Sequence, residues 1–183
     1  MAKVLIVTGD AAEGLEVMYP YQRLLEAGYT VHIAAPAKKV VQTVVHDFEP
    51  GWETYTEKPG YRVNVDVAFA AVDPSQYVGL VMPGGRAPEY IRNDPSLQSI
   101  VRHFLETGKP VAAICHAPLI LIALDAVRNR ILTAYPALQR DIEMAGGVFQ
   151  DREVVVDRKL VTSRAWPDHP AFMREFLKLL PPV

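Results

Sequence analysis

The sequence predicts an α/β fold in which a mostly parallel, doubly wound sheet is covered by helices on both faces. Short runs of apolar, β-branched residues recur along the chain, and such runs are typical of parallel strands buried on both sides. Segments with apolar residues at helical spacing separate most of these runs. Strand–helix–strand units of this kind favour right-handed crossovers and parallel pairing of the strands.

The N-terminal part of the chain predicts one such unit. Residues 4–8 are a continuous apolar run and form the first strand. A helix with apolar residues at helical spacing follows and ends at Gly28. Pro20 is expected near the start of this helix, because proline is tolerated best in a first turn. Residues 30–35 form the second strand.

The regular alternation breaks between Lys38 and Gly60. Turn residues divide this stretch, which predicts an irregular excursion or a hairpin. Residues 61–67 alternate between apolar and polar, as a half-exposed strand does. Residues 78–82 then predict another buried strand that runs into a glycine- and proline-rich loop.

The C-terminal half continues the alternation. Asp94 and Pro95 supply an N-cap and a first-turn proline for a helix that ends at Gly108. Residues 111–114 form a buried strand, and a helical pattern begins at Ala117. The remaining predicted elements are a short strand over 130–135, a helix over 136–145, a hairpin over 153–157 and 160–163, and a last helix with Phe172, Met173, Phe176, Leu177 and Leu180 inward.

Length and composition indicate an ordinary globular protein with one domain over residues 1–183. Half of the residues are hydrophobic and 22% are charged, and the net charge of −2 gives no electrostatic footprint for nucleic acid. The apolar stretches are too short to span a bilayer, so we expect no membrane association. A single cysteine suits a reducing compartment, and the N-terminal apolar run is too short for a signal peptide. We therefore expect a cytoplasmic protein.

Cys115 is the candidate nucleophile. It is the only cysteine, and it falls where a predicted strand gives way to a helix, the position that carries the nucleophile in serine hydrolases of the α/β type. The positive end of the following helix would favour the thiolate. The backbone N–H of His116 can face an oxyanion formed on a group bonded to Cys115. A buried cysteine that only fills the core is the alternative interpretation.

Three loops at the carboxyl ends of predicted strands lie where ligands bind in parallel sheets. They cover residues 10–14, 83–89 and 115–116. If they meet, Glu13 would lie beside Cys115, and the N–H of Gly85 would face the sulfur. A carboxylate next to a thiolate has a raised pKa, so Glu13 would be protonated near neutral pH and could give and take protons. A solvated loop residue or a helix cap is the alternative for Glu13.

The chain resembles the ThiJ/PfpI family, which includes PfpI-type intracellular peptidases and the parkinsonism-associated deglycase. The resemblance covers nearly the whole chain and is most specific in Pro-Gly-Gly-Arg-Ala-Pro-Glu over 83–89 and Ala-Ile-Cys-His-Ala-Pro over 113–118. Residues 13–21, 133–136, 153–157 and 160–164 resemble the family as well. The resemblance implies a flavodoxin-like sandwich related to class I glutamine amidotransferases.

The resemblance also implies the roles of the site residues. Cys115 would be the nucleophile with Glu13 as its carboxyl partner and His116 beside it, and the N–H groups of Gly85 and His116 would form the oxyanion hole. It implies a homo-oligomer, as a dimer, trimer or hexamer. In PfpI-type oligomers, the glutamate that matches Glu89 orients the histidine from a neighbouring subunit.

One segment departs from the archaeal peptidases. The stretch from Lys38 to Gly60 is longer, and its His46 and Tyr55 resemble plant-type members that act as glutathione-independent glyoxalases. These two side chains could form a wall of the pocket. A hydrogen-bonded loop histidine is the alternative for His46.

Three functions remain open at this point. The first is a glyoxalase III-type enzyme or deglycase that acts on a small aldehyde, such as methylglyoxal, or on glycated groups. The sequence lacks a zinc-type Cys/His cluster, so we expect neither a metal nor another cofactor. The second is a cysteine peptidase in which Cys115, His116 and a neighbour's Glu89 form a triad. The third is a redox-sensing or chaperone-like stress protein, because a reactive thiolate is also readily oxidised.

Overall fold

The computed structural model describes residues 2–183, whose largest element is a seven-stranded sheet. The strands are β1 (Lys3–Val7), β2 (Thr30–Ala35), β3 (Val40–Asp47), β4 (Thr56–Asn64), β5 (Val67–Ala68), β6 (Gly79–Met82), β7 (Val111–Ile114), β8 (Ile131–Leu132), β9 (Val148–Phe149), β10 (Val154–Asp157) and β11 (Leu160–Ser163). The helices are α1 (Gly14–Glu26), α2 (Ala87–Ile91), α3 (Pro95–Glu106), α4 (Pro118–Ala123), α5 (Gln139–Met144) and α6 (His169–Leu179), with short 3-10 helices at Phe69–Ala71, Pro74–Gln76, Pro136–Leu138 and Trp166–Asp168.

The central sheet has the strand order β10-β11-β7-β6-β1-β2-β5. All neighbouring pairs are parallel except β10 with β11, which form the antiparallel hairpin that the sequence predicts. The five inner strands follow the order 2-1-3-4-5, which is the flavodoxin-like winding. The fold class expected from the sequence is therefore confirmed.

The strand order also locates a crevice. The chain winds outward from β1 through β2 to β5, then returns to the other side of β1 and continues through β6, β7 and β11. The reversal point between β1 and β6 leaves a gap beyond their carboxyl ends, where ligands bind in open parallel sheets. The loops after β1, β6 and β7 all open toward this crevice.

Burial explains why these segments form the central strands. Every residue of β6, β7 and β11 is buried, and so are four of the five residues of β1. Large side chains from α3 and α6, among them Phe104 and Phe172, are fully buried in the same core. The apolar runs are therefore continuous rather than alternating, because both faces of the sheet are covered.

The stretch between Lys38 and Gly60 forms most of a separate two-stranded hairpin, β3 with β4. The predicted half-exposed strand over 61–67 is split, because its first four residues belong to β4 and its last residue begins β5. Backbone hydrogen bonds attach the hairpin to the loop after β1, with Ala11 N donating to Gln42 O and Val44 N donating to Ala12 O, both at 2.8 Å. The hairpin is thereby fixed beside the crevice.

Pro20 corrects one detail of the sequence prediction. It lies inside α1, beyond the first turn, rather than near the start. Proline there removes a backbone hydrogen bond within the helix. The helix persists because it buries Val17 and Leu24 completely, and tertiary packing outweighs local propensity.

Within residues 2–183, no helix is long and apolar enough to cross a membrane.

Candidate active site

Cys115 occupies a strained corner directly after β7. Its backbone φ is 61°, a left-handed conformation that residues other than glycine seldom adopt. Two backbone hydrogen bonds hold it there: Cys115 N donates to Ser163 O at 3.1 Å, and Tyr135 N donates to Cys115 O at 3.0 Å. The side chain is only 2% exposed. The sharp turn therefore places the thiol above the end of the sheet and beneath neighbouring loops.

The loops after β1 and β6 meet at this corner. Glu13 N donates to Gly84 O at 3.3 Å, and Ala12 forms an isolated antiparallel bridge with Gly85. Burial raises the pKa of the Cys115 thiol, and hydrogen bonds from the backbone N–H groups of Gly85 and His116 partly oppose this rise. The two N–H groups that the sequence analysis expects in an oxyanion hole thus lie at the sulfur.

Gly84 and Gly85, in the loop after β6, lie so close to neighbouring atoms that neither position has room for a side chain. A Cβ on Gly84 would lie 2.5 Å from the Cβ of Cys115 and 2.6 Å from Oε2 of Glu16. Gly85 has a φ of 73°, and a Cβ there would lie 2.3 Å from the backbone nitrogen of Glu13. Any larger residue would push the loop away from the sulfur.

The carboxyl that lies beside Cys115 belongs to Glu16. Glu16 is fully buried, and its Oε2 accepts a hydrogen bond from Gly84 N at 2.9 Å. Glu13, which the sequence analysis places beside the sulfur, is instead the N-cap of α1 and accepts from Glu16 N at 2.8 Å. That expectation is corrected because the side chain of Glu13 is occupied by the helix end, whereas Glu16, one turn later, faces the crevice.

The thiol and the carboxyl form a coupled pair. Burial raises the pKa of Glu16 well above its usual range, and the nearby charge of Glu13 raises it further. Burial likewise raises the pKa of Cys115 well above its usual range, and Glu16 adds to this effect. The net shift is therefore upward, because burial outweighs the lowering by the N–H groups of Gly85 and His116. The effect of the end of α4 on this thiol stays a prediction. The pair retains at least one proton at neutral pH and titrates as a unit.

His116 completes the immediate surroundings of the sulfur. Its Nδ1 lies 3.2 Å from Sγ of Cys115. Burial lowers the pKa of His116 to about 4, with a further contribution from His46. The imidazole is therefore neutral near pH 7. Its ring stacks on Tyr135 with centroids 5.1 Å apart, and Tyr135 also lines a surface cavity of about 400 Å³.

The β3–β4 hairpin covers this pair of rings. Tyr55 contacts His116 and Tyr135 edge-on, with centroid distances of 6.2 and 5.6 Å. His46 is buried in β3 and lies 4.2 Å from the ring of Tyr55. The structure thus brings both residues of the predicted pocket wall next to His116. Burial and the surrounding negative groups, Cys115 foremost, raise the pKa of Tyr55 to about 12, so its hydroxyl stays protonated.

The sequence analysis did not single out Glu57 or Glu16 as residues of the site. Glu57 lies opposite His46 in the hairpin, with its Oε2 2.9 Å from Nε2 of His46. It also accepts three hydrogen bonds from Arg86, which directly follows Gly85: Nε donates to Oε2 at 2.9 Å and to Oε1 at 3.2 Å, and Nη2 donates to Oε1 at 2.7 Å. No local spacing relates Glu57 to Arg86, because only the folded hairpin brings them together.

Glu16 did leave a signal in the sequence. It shares a helix face with Pro20 and Leu24, at spacings of four and eight residues, and both of those are buried. A carboxylate on an otherwise buried face is an anomaly that points to a specific role.

Glu89 lies exposed on α2, and within residues 2–183 no hydrogen bond or ion pair joins it to His116. The orienting role that the resemblance assigns to it from a neighbouring subunit stays a prediction.

Among residues 2–183, no group of three or more His, Cys, Asp or Glu side chains is arranged to hold a metal ion.

Comparisons with known proteins identify the family of this chain. A family model described as the DJ-1/PfpI family matches residues 2–179. A Pyrococcus horikoshii protein named as a deglycase is 46% identical over 178 residues, which cover 97% of this chain and 99% of the relative. A Bacillus subtilis protein named as a putative cysteine protease is 37% identical over 178 residues, covering 97% of this chain and 98% of that protein.

A solved structure supports the same assignment. The two-domain protein from Anabaena variabilis that contains DJ-1/ThiJ/PfpI-like and ferritin-like domains superposes with a TM-score of 0.84 at 29% identity. The match covers 97% of this chain and 48% of the Anabaena protein. With the family model and the two relatives matching nearly their full lengths, the chain belongs to the DJ-1/PfpI family.

Proposed function

We propose that this protein is a cysteine-dependent enzyme that acts on reactive oxoaldehydes without a cofactor, as a glyoxalase that converts methylglyoxal to lactate or as a deglycase. The main observation that supports this proposal is the buried Cys115–Glu16 pair, with the N–H groups of Gly85 and His116 at the sulfur. The deglycase name of the Pyrococcus horikoshii relative supports the same class of substrate.

The proposed reaction begins with addition of the Cys115 sulfur to the aldehyde carbon. The aldehyde oxygen takes up a proton, and a hemithioacetal results. The N–H groups of Gly85 and His116 stabilise the negative charge that develops on this oxygen. Because the pair already holds a proton, no external acid is required for this step.

Glu16 then moves a proton between the two carbons. It removes the proton from the former aldehyde carbon, and the adjacent ketone carbon regains one, so the hemithioacetal becomes a thioester of lactate. Water hydrolyses the thioester to lactate and restores the thiol. The Oε1 atom of Glu16 has no hydrogen-bond partner among the described residues, which leaves it available to the substrate.

The identity of Glu16 as the shuttle follows from the chemistry of this step. A carboxyl with a raised pKa holds its proton more readily than an ordinary one and is a stronger base once it has lost it. His116 is less suited, since its lowered pKa makes it a weak base. It contributes instead through its backbone N–H and through its contact with the sulfur.

A cysteine peptidase is the second candidate. The distance of 3.2 Å between Sγ of Cys115 and Nδ1 of His116 favours it, as does the name of the Bacillus subtilis relative. A peptide substrate, however, must reach a thiol that is only 2% exposed and whose neighbour His116 is contacted by the ring of Tyr55. A two- or three-carbon aldehyde fits this access better, so we rank the peptidase second.

The test is lactate formation from methylglyoxal by the purified protein, without glutathione or added metal, beside Cys115→Ala. We expect lactate from the wild type and none above background from the variant. A matched assay with a denatured protein substrate addresses the peptidase. Cysteine-dependent proteolysis without lactate would overturn the proposal, and a reactive thiol with neither activity would favour the redox-sensing alternative.

A further inference from the structure

We propose that Glu57 is a specificity-determining residue that holds the β3–β4 hairpin closed over Cys115 and thereby limits the size of the molecules that reach the thiol. The proposal rests on the proposed function for its substrate but depends on geometry that is independent of it. Glu57 lies in neither of the loops that surround the sulfur, and it acts through the residues it holds.

The hairpin has a base, residues 39–44, that is attached to the loop after β1, and an upper part, residues 46–57, that lies next to His116. The base is attached to the loop after β1 by the backbone bonds of Gln42 and Val44 described above, and by the ion pair between Lys39 and Asp10. The upper part carries Tyr55, which contacts His116 edge-on, and His46, which packs against Tyr55. Access to the thiol from this side therefore depends on how firmly the upper part is held down.

Glu57 is the ionic connection between the upper part and the body of the protein. Its carboxylate accepts hydrogen bonds from both Nε and Nη2 of Arg86 and also contacts the buried ring of His46. Such bidentate pairs have the best defined geometry among ion pairs. Hydrogen bonds from Arg86 lower the pKa of Glu57 to about 2, so the pair is ionised throughout the neutral range.

Phe48, in the upper part of the hairpin, stacks on Trp166 with ring centroids 5.4 Å apart. Within residues 2–183, this is the only other aromatic contact that joins the upper part to the protein outside the site. Phe48 is 55% exposed, so this stack buries little area. Arg86 is fixed from the other side, because its backbone N donates to Ala11 O at 2.8 Å. Glu57 therefore links the upper part of the hairpin to the loop beside the sulfur.

The experiment compares two thiol reagents and two aldehydes of different size. Cys115 is labelled with iodoacetamide and with a bulky aromatic disulfide, and turnover is measured with methylglyoxal and phenylglyoxal. In Glu57→Gln we expect the rate ratio of large to small reagent to rise about fivefold, the change that one partly exposed bidentate pair supports. Arg86→Gln should raise the ratio similarly, and the double variant should add little because both changes break one contact.

Glu49→Gln is the matched control. Glu49 is a carboxylate on the same hairpin that pairs with Lys58 in solvent, so the ratio should stay at the wild-type value. An unchanged ratio in Glu57→Gln, or an equal rise for large and small reagents, would overturn the proposal. If the wild type turns over neither aldehyde, the proposed function fails, while the labelling ratio still decides the role of Glu57.

Discussion

Replacing Glu16 by glutamine is the perturbation that separates the two carboxylates near the site. Glutamine keeps the size of the side chain and an oxygen that can accept from Gly84 N, but it cannot shuttle a proton. Glu13→Gln is the matched control, because Glu13 caps α1 and its amide oxygen can still accept from Glu16 N. The sequence interpretation predicts loss of turnover in Glu13→Gln, and the structure predicts it in Glu16→Gln.

The expected magnitude follows from the role of the group. A positioned general acid–base contributes about 10²–10⁴-fold to the rate, or about 3–5 kcal/mol of transition-state stabilisation. We expect a loss of that size in kcat for Glu16→Gln, and a loss below about tenfold for Glu13→Gln, since the cap contributes about 1 kcal/mol to stability rather than to chemistry. The assay is lactate formation from methylglyoxal at saturating substrate.

Thiol labelling in the same variants shows which step is lost. Burial raises the pKa of Cys115, and the Glu16 carboxylate raises it further, so replacing that carboxylate by a neutral amide should lower the pKa of Cys115 and leave iodoacetamide labelling at neutral pH at least as fast. Fast labelling with lost turnover would place Glu16 in proton transfer. Wild-type turnover in Glu16→Gln, or a greater loss in Glu13→Gln, would refute the reasoning.

Two further predictions concern stability around the pair. The pKa of Glu16 is raised in the folded protein from an ordinary value of 4.5. Its contribution to the free energy of unfolding is therefore full below that value and declines as the pH rises through the folded pKa. Urea denaturation of Glu16→Gln across this pH range should show a smaller decline in the free energy of unfolding than the wild type, and an identical decline would contradict the shift. Gly84→Ala should lower the thermal midpoint and abolish turnover, because the new Cβ would lie 2.5 Å from the Cβ of Cys115; a variant with wild-type activity would show that the loop can move away without consequence.

The central sheet was predictable because its signals are local. Continuous apolar runs between helical patterns reflect burial on both faces, and the helix opened by Asp94 has the cap that its sequence indicates, with Asp94 accepting from Ser96 N at 2.8 Å and Leu97 N at 3.2 Å. Cys115 was identified for the same reason, since the change from strand to helix occurs within a few residues. The meeting of three loops followed from the general behaviour of parallel sheets.

The carboxyl partner was not predictable by the same reasoning. Glu13 and Glu16 are three residues apart, and the choice between them depends on where α1 begins, which is the least certain feature of a sequence interpretation. With Gly14 as the first helical residue, Glu13 becomes the cap and Glu16 points into the crevice. The interaction of Glu57 with Arg86 was out of reach, because it joins residues 29 apart through a hairpin whose register no local pattern sets.

The most direct test of the account is intact mass analysis of Glu16→Gln after exposure to methylglyoxal, followed by peptide mapping. If Cys115 adds to the aldehyde and Glu16 moves the proton, the variant should accumulate one methylglyoxal on Cys115, while the wild type returns to the free thiol and releases lactate. A variant that forms no adduct on Cys115, or that clears it as fast as the wild type, would contradict the account.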